Sequence, residues 1–176
     1  SSPQVAEGVV KLFRSLAATM LAVAILAFAP QGVTGVDKAH AKPSGAFRAL
    51  DGVWQGAGRI LLADGKSQRI RCRAYYRVLE GGAELGLAIR CAATDNRIEL
   101  RASVSDSNGQ LSGSWEERTF NATGQISGRV QPGNMNIAIG GAVTGSMRIS
   151  YSGQRQTVDI STATDGLRGI SIQLRR

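Results

Sequence analysis

Few side chains in this sequence could do chemistry other than binding. The chain of 176 residues has two cysteines, Cys72 and Cys91, and one histidine, His40. Cleavage near Ala41, predicted from the signal-like first 41 residues, would remove His40, and a mature chain without histidine has no Ser-His-Asp triad, no histidine-ligated haem and none of the usual zinc sites. The sequence also lacks a nucleophile elbow, a phosphate-binding loop and a metal-ligand cluster. We therefore predict no catalytic residues, no metal and no cofactor, and we expect the protein not to be an enzyme.

The elements that must position the remaining candidates are β-strands. From residue 50 onward, apolar and polar residues alternate, and glycine-rich turns interrupt the pattern. In the clearest stretch, Cys72, Ala74 and Tyr76 share one side while Arg71 and Arg73 share the other. The pattern predicts ten strands, at roughly 52–62, 67–79, 83–92, 97–105, 110–118, 125–130, 135–140, 144–152, 155–162 and 168–175.

Turn residues predict how these strands pair. Gly81 and Gly82 suit the two central positions of a type I′ hairpin, which sets Val78 opposite Leu85 and Cys72 opposite Cys91. Turns at 64–66, 95–96, 108–109 and 153–154 set further pairs: Trp54 with Tyr76, Cys91 with Leu100, Ile89 with Ala102, Ala102 with Trp115, Arg101 with Glu116, and Met147 with Ile160. Every inward residue then meets another inward residue.

A repeated pattern favours closure of the sheet. An apolar residue, a central glycine and a second apolar residue recur at 50–54, 111–115, 126–130 and 143–147. An inward glycine lets a strand coil sharply, and closing the last strand onto the first removes both exposed edges. We predict an all-β fold with a single antiparallel up-and-down β-barrel of about ten strands over 50–176, preceded by a linker at 42–49.

The inferred register also predicts a disulfide. Cys72 and Cys91 face each other on adjacent strands, and an oxidising compartment would join them. An ideal two-residue hairpin places this pair at a hydrogen-bonded site, where the side chains lie further apart. Two buried free thiols are the alternative.

The barrel interior is the first candidate binding site. Trp54, Tyr76, Trp115 and Met147 would supply apolar walls suited to a hydrophobic or amphipathic guest. Glu117 falls on the inner face by alternation and could orient a polar end of that guest. A filled core, with Glu117 solvated at the rim, is the alternative.

An outer basic surface is the second candidate site. It consists of outward arginines on the second and third strands: Arg69, Arg71, Arg73, Arg77 and Arg90. Such a face could meet an anionic envelope surface or an acidic partner, or it could simply be solvated. We do not expect nucleic acid as a partner, and we expect a monomer.

The first 41 residues resemble a secretory signal. Lys11 and Arg14 precede an uncharged apolar run over 16–28, and the small residues Ala39 and Ala41 form a cleavage site. We predict a signal-peptide helix, cleavage near Ala41 and a periplasmic or secreted location. An uncleaved membrane anchor or amphipathic helix is the alternative.

The start of the first strand resembles calycin barrels. Gly52 and Trp54 resemble the opening motif of lipocalins, and with Gly56 and Gly58 they look like the first strand of nitrobindin-like ten-stranded barrels. The chain is also similar to exported proteins of alphaproteobacteria and, more distantly, to a small periplasmic metalloprotease-inhibitor barrel. From the apolar interior we predict an exported barrel that binds a hydrophobic or amphipathic small molecule. A surface-interaction module with a filled barrel is the alternative.

Overall fold

The computed structural model describes residues 44–94 and 97–176, which form a closed barrel of ten antiparallel strands. Each strand pairs with its neighbours in sequence, and the first pairs with the last. The strands are β1 (Gly52–Leu62), β2 (Ser67–Leu79), β3 (Glu84–Ala92), β4 (Arg97–Ser107), β5 (Gln110–Glu117), β6 (Ala122–Gln131), β7 (Asn134–Gly141), β8 (Gly145–Ser152), β9 (Arg155–Thr162) and β10 (Leu167–Arg175). The predicted up-and-down barrel is confirmed. The predicted signal helix and its cleavage site lie outside the described residues.

Glycines allow the barrel wall to coil. At Gly113, Gly128 and Gly145, an added Cβ would lie 2.1 to 2.2 Å from a carbonyl oxygen of the neighbouring strand. Only glycine permits this close approach of two backbones. The fourth glycine of the repeat, Gly52, acts differently, because it has a φ of 116° and an added Cβ would meet nothing within 4 Å. Three of the four central glycines therefore lie where the barrel wall coils tightly, and the fourth, Gly52, is the first residue of β1.

The two ends of the barrel are built differently. At one end, the β4–β5, β6–β7 and β8–β9 connections are two-residue turns, and the β2–β3 connection includes a short 3-10 turn at Glu80–Gly82. We call this the sealed end. At the other end, which we call the open end, the connections span 63–66, 93–96, 118–121, 142–144 and 163–166. Every connection there has three or four residues.

A short helix closes the sealed end. Ala46–Leu50 form a 3-10 helix, here called the plug helix, in which Phe47 and Leu50 are 0 % exposed. Tyr151 donates a hydrogen bond to the Ala46 carbonyl oxygen at 2.9 Å, and Trp54 Nε1 donates to the Leu50 oxygen at 2.7 Å. Residues 46–49 of the plug helix were expected to belong to a linker over 42–49, and Leu50 to the barrel domain. Instead, apolar side chains from that segment complete the barrel core.

The predicted register holds across the tight turns and shifts by two residues at two of the longer loops. Val78 faces Leu85, Ala102 faces Trp115, Arg101 faces Glu116 and Met147 faces Ile160, as expected. Trp54, however, faces Ala74 rather than Tyr76, because the chain turns through the three residues 63–65, and Leu62 N–H donates to the Lys66 oxygen. Across β3 and β4, Cys91 faces Ile98 and Ile89 faces Leu100. A shift of two residues keeps every side chain on its predicted face.

The two cysteines form the predicted disulfide. Cys72 and Cys91 are bonded across β2 and β3, with their Cα atoms 4.1 Å apart. That short spacing is typical of a non-hydrogen-bonded pair, whereas an ideal two-residue turn would give a hydrogen-bonded one. The strands end at Leu79 and Glu84, so four residues form the connection. With four residues in the connection instead of two, hydrogen-bonded and non-hydrogen-bonded pairs exchange places along the two strands. Cys72 and Cys91 therefore form a non-hydrogen-bonded pair.

Candidate functional site

An apolar cavity of about 460 Å³ lies inside the barrel towards the open end. Ligand pockets in proteins commonly span about 300–1,000 Å³ and are mostly apolar, so this volume would hold a small organic molecule. Nine strands, β2 to β10, contribute to the lining, and three of the open-end loops contribute as well. The principal apolar lining residues are Leu85, Leu87, Leu100, Ala102, Trp115, Ile126, Met135, Ile137, Ile139, Met147, Ile149 and Ile160.

The deepest polar group on the cavity lining is the hydroxyl of Tyr76, and it already has a partner. Gln156, which is 2 % exposed, donates from Nε2 to the Tyr76 hydroxyl at 2.9 Å. Burial raises the pKa of Tyr76 to about 12, although the hydrogen bond with Gln156 acts in the opposite direction. The phenol is therefore neutral at ordinary pH, and the inner part of the cavity presents no charge to a guest.

The cavity reaches solvent at the open end. Phe120 in the β5–β6 loop lines the cavity and is 66 % exposed. Thr164 and Asp165 in the β9–β10 loop lie on the same rim. Of the lining residues that the structure describes, two are acidic, Glu117 and Asp165, and none is basic. The lining thus changes from apolar at depth to acidic at the mouth.

Glu117 lies on the inner face opposite Leu100, as alternation predicts, and is 8 % exposed. Its carboxylate accepts hydrogen bonds from Glu99 N–H at 2.8 Å and from Phe120 N–H at 2.7 Å. Burial alone would raise the pKa of Glu117, but the N–H groups of Phe120, Glu99 and Thr119 together bring it below the usual value. Glu117 therefore carries a negative charge and anchors the loop that presents Phe120.

This anchoring predicts a pH-dependent contribution to stability. A carboxylate whose folded-state pKa lies below the ordinary value of 4.5 stabilises the fold above that pH, and the contribution is lost as the pH falls through the folded-state pKa. We expect Glu117→Gln to lower the free energy of unfolding by about 1–3 kcal/mol at neutral pH, because a buried N–H loses its acceptor. Urea denaturation should show the deficit shrinking as the pH falls below 4.5 and through the lowered pKa of Glu117. The exposed neighbour Glu116→Gln is the control, and a deficit independent of pH would contradict the assignment.

The structure brings together four of the five interior residues named from the sequence. Tyr76, Trp115, Glu117 and Met147 line the cavity, with Trp115 Nε1 donating to the Gly140 oxygen at 3.1 Å. Trp54 was expected in the cavity lining but packs at the sealed end, 0 % exposed, with the Arg176 guanidinium 4.7 Å from its ring centre. Gly52 rather than Trp54 faces Tyr76, and the hydrogen bond from Trp54 Nε1 to the Leu50 oxygen holds the indole against the plug helix.

The arginines named from the sequence all lie on the outer wall and are exposed: Arg69, Arg71, Arg73, Arg77 and Arg90. Arg59 on β1, which the sequence analysis missed, lies directly opposite Arg69. Its outward position follows from alternation along β1, so the pattern could have identified it. Arg90 is 3.5 Å from the Glu99 carboxylate, which also contacts Arg101 and Arg118.

The part of the chain that the structure describes carries neither a metal-ligand cluster nor a membrane-spanning helix. No group of three or more His, Cys, Asp or Glu side chains is placed there to hold a metal ion. No helix in residues 44–94 and 97–176 is both long and apolar enough to cross a bilayer.

Comparison with known proteins places the chain by fold alone. No protein-family model and no curated protein matches the sequence. The crystal structure of Rv2717c from M. tuberculosis is similar with a TM-score of 0.62 at 14% identity, covering 77% of this chain and 99% of that chain. The S-type phycobiliprotein lyase CPES from Guillardia theta is similar with a TM-score of 0.50 at 11% identity, covering 74% and 90%. The chain thus shares its barrel fold with these two proteins.

Proposed function

We propose that the protein binds a hydrophobic or amphipathic small molecule inside the barrel and does not catalyse a reaction. One observation carries this proposal: the apolar cavity of about 460 Å³ is closed by the plug helix at one end and reaches solvent beside Phe120 at the other. A solid core would have filled this volume, since protein interiors are packed nearly as densely as organic crystals. The calycin-type architecture is compatible with such a role.

The charges at the mouth favour particular guests. Glu117 and Asp165 lie at the rim, and none of the described lining residues is basic. A guest whose polar end is a carboxylate would be repelled there, whereas an uncharged or cationic end would not. We therefore propose an apolar body at depth and a neutral or cationic end near the rim. Displacement of a neutral fluorescent probe should be stronger with a long-chain alcohol or amine than with the matching fatty acid.

Filling the cavity should abolish most of this binding. Ala102 lies on the inner face opposite Trp115, so Ala102→Phe adds an aromatic ring to the cavity. The ring would occupy space that the guest's apolar body needs, so we expect the dissociation constant of a neutral hydrophobic probe to rise roughly tenfold or more, which corresponds to at least about 1.4 kcal/mol of binding free energy. Titration by fluorescence measures this change.

The matched control makes the same substitution on the outer wall. Ala138 on β7 is exposed and paired with outward residues, so Ala138→Phe should leave the dissociation constant unchanged. Equal binding by Ala102→Phe and the unaltered chain would rule out the interior as the site. Saturable binding by neither would rule out the proposed function.

The two tryptophans provide a second, independent measurement. Trp115 lines the cavity and Trp54 does not, and the chain has no other tryptophan. A bromine-labelled long-chain alcohol should quench the emission of the unaltered chain. In Trp115→Phe, the remaining Trp54 emission should not be quenched. Equal quenching in both proteins would place the guest elsewhere.

The proposal includes an exported monomer. The signal-like first 41 residues support export, and a disulfide between Cys72 and Cys91 is typical of oxidising compartments. Fractionation of the producing cells tests the location, and retention of the full chain inside the cytoplasm would contradict it.

A further inference from the structure

The outer wall of β1 and β2 concentrates two kinds of side chain that rarely occur together on a solvated surface. Among the described residues, five large hydrophobic side chains are exposed, and four of them lie here: Val53, Leu61, Tyr75 and Leu79. Outward arginines lie between them: Arg59, Arg69, Arg71, Arg73 and Arg77. We call these nine residues the β1–β2 face. Scattered exposed hydrophobic residues are ordinary, but Val53 and Tyr75 are directly opposite each other, with Leu79 beyond them at the sealed end and Leu61 at the open end.

The arginines of this face have no acidic partners on the barrel. In the part of the chain that the structure describes, none of the five forms an ion pair with a carboxylate, whereas Arg90, Arg101 and Arg118 all lie within 4.0 Å of Glu99. Arg59 is directly opposite Arg69, and Arg73 is directly opposite Arg90. Like charges in these positions destabilise a sheet. An external anion would relieve this repulsion.

A groove on the same face provides a place for such an anion. It has a volume of about 400 Å³, and Ala57 and Gly58 are among the residues that line it. Arg59, Arg69 and Arg71 line it as well, together with Ser171 and Gln173 of β10. Guanidinium groups bind phosphate through paired hydrogen bonds, and the hydroxyl and amide add further polar contacts.

We propose that the β1–β2 face docks on an anionic lipid surface, with lipid phosphates at the arginines and Val53, Leu61, Tyr75 and Leu79 against the headgroup–acyl boundary. Apolar side chains interspersed with basic ones are typical of elements that lie in a membrane interface. A tyrosine in the middle of the face suits that boundary, because its ring is apolar and its hydroxyl is polar. This docking surface is separate from the cavity and does not depend on a guest being bound.

Vesicle binding by the full chain tests the proposal. We expect the chain to bind vesicles of phosphatidylcholine with phosphatidylglycerol, and we expect salt to weaken this binding. Each basic residue near an anionic surface raises the partition coefficient by a factor of about 5. Arg69→Gln combined with Arg71→Gln should then lower the partition coefficient roughly 25-fold. Arg129→Gln combined with Arg148→Gln, at exposed positions of β6 and β8, makes the same change in net charge. An equal loss in both double variants would overturn the proposal.

A local measurement separates this face from the rest of the chain. Tyr75→Trp places a reporter on the β1–β2 face, and Gln125→Trp places one on the outer wall of β6, which is exposed. Phosphatidylglycerol brominated in its acyl chains should quench the reporter at 75 and leave the one at 125 unaffected. Equal quenching at both positions, or binding to polyglutamate without binding to vesicles, would overturn the assignment to lipid. Failure here leaves the result of the Ala102→Phe titration unaffected.

Discussion

Phe47→Ala is expected to lower the free energy of unfolding by about 3–5 kcal/mol, the cost of truncating a fully buried aromatic side chain. Phe47 is 0 % exposed and belongs to the plug helix at the sealed end. Its removal leaves a hole above the barrel core that the plug helix cannot close, because hydrogen bonds from Trp54 and Tyr151 fix the backbone of that helix. Guanidinium denaturation followed by circular dichroism gives the change.

Phe120→Ala is the matched control for this measurement. Phe120 is 66 % exposed at the open end, so the same truncation there should change stability by no more than about 0.5 kcal/mol. A loss at Phe47 as small as the loss at Phe120 would mean that residues 46–50 do not seal the barrel. Phe120 lines the cavity mouth, so its variant should instead weaken probe binding.

Loss of the disulfide should have the second largest effect, about 3 kcal/mol of stability. Cys72 and Cys91 are 19 residues apart in sequence, and the bond between them restricts the unfolded chain by closing that loop. Because these are the only two cysteines, a reductant acts on this bond alone. Denaturation with and without dithiothreitol measures the difference.

The double variant Cys72→Ala, Cys91→Ala completes the experiment. It should be destabilised to a similar extent and should show no response to dithiothreitol. Denaturation midpoints of the unaltered chain that coincide with and without reductant would show that the bond contributes nothing to stability. Both cysteines are buried, so the reduction has to be carried out on the unfolded chain before refolding.

The strand pattern could be predicted because the barrel interior is almost entirely apolar. Alternation assigns each residue to a face, and a two-residue turn such as Asn108 with Gly109 then determines the register. Longer loops have no comparable sequence pattern from which the register of the two strands could be predicted. The turn after β1 uses the three residues 63–65, so the predicted partner of Trp54 was two positions too far along. An error of two positions leaves each residue on its predicted face of the strand, which is why the inward-facing residues were still identified correctly.

The plug helix could not be predicted from alternation. Ala46–Leu50 are five residues long, too few to show a helical period, and they follow a stretch with signal-peptide character. Their burial depends on the barrel end that they cover, which is a tertiary contact. The apolar residues Phe47 and Leu50 were the feature of the sequence that could have indicated a buried segment, since large apolar residues are unusual in a linker. The same contact explains why Trp54 packs beside the plug helix.

Glu117 illustrates what a face assignment leaves open. Alternation placed it inside, and the structure has it there at the end of β5, 8 % exposed rather than solvated. Its hydrogen bonds to the loop backbone depend on the path of residues 118–121, which no local pattern encodes. A role as a loop anchor was therefore visible only in three dimensions.

Both termini of the described chain leave from the sealed end. Ser44 is held there by Asp106, whose carboxylate accepts its N–H at 2.7 Å, and Arg176 donates to the Asp51 oxygen at 2.9 Å. A fusion partner, affinity tag or covalent tether joined at Arg176, or at Ser44 of a chain shortened to begin there, would therefore project away from the loops that surround Phe120. The barrel could be immobilised through either of these two residues on a sensor chip with its mouth still accessible to dissolved compounds.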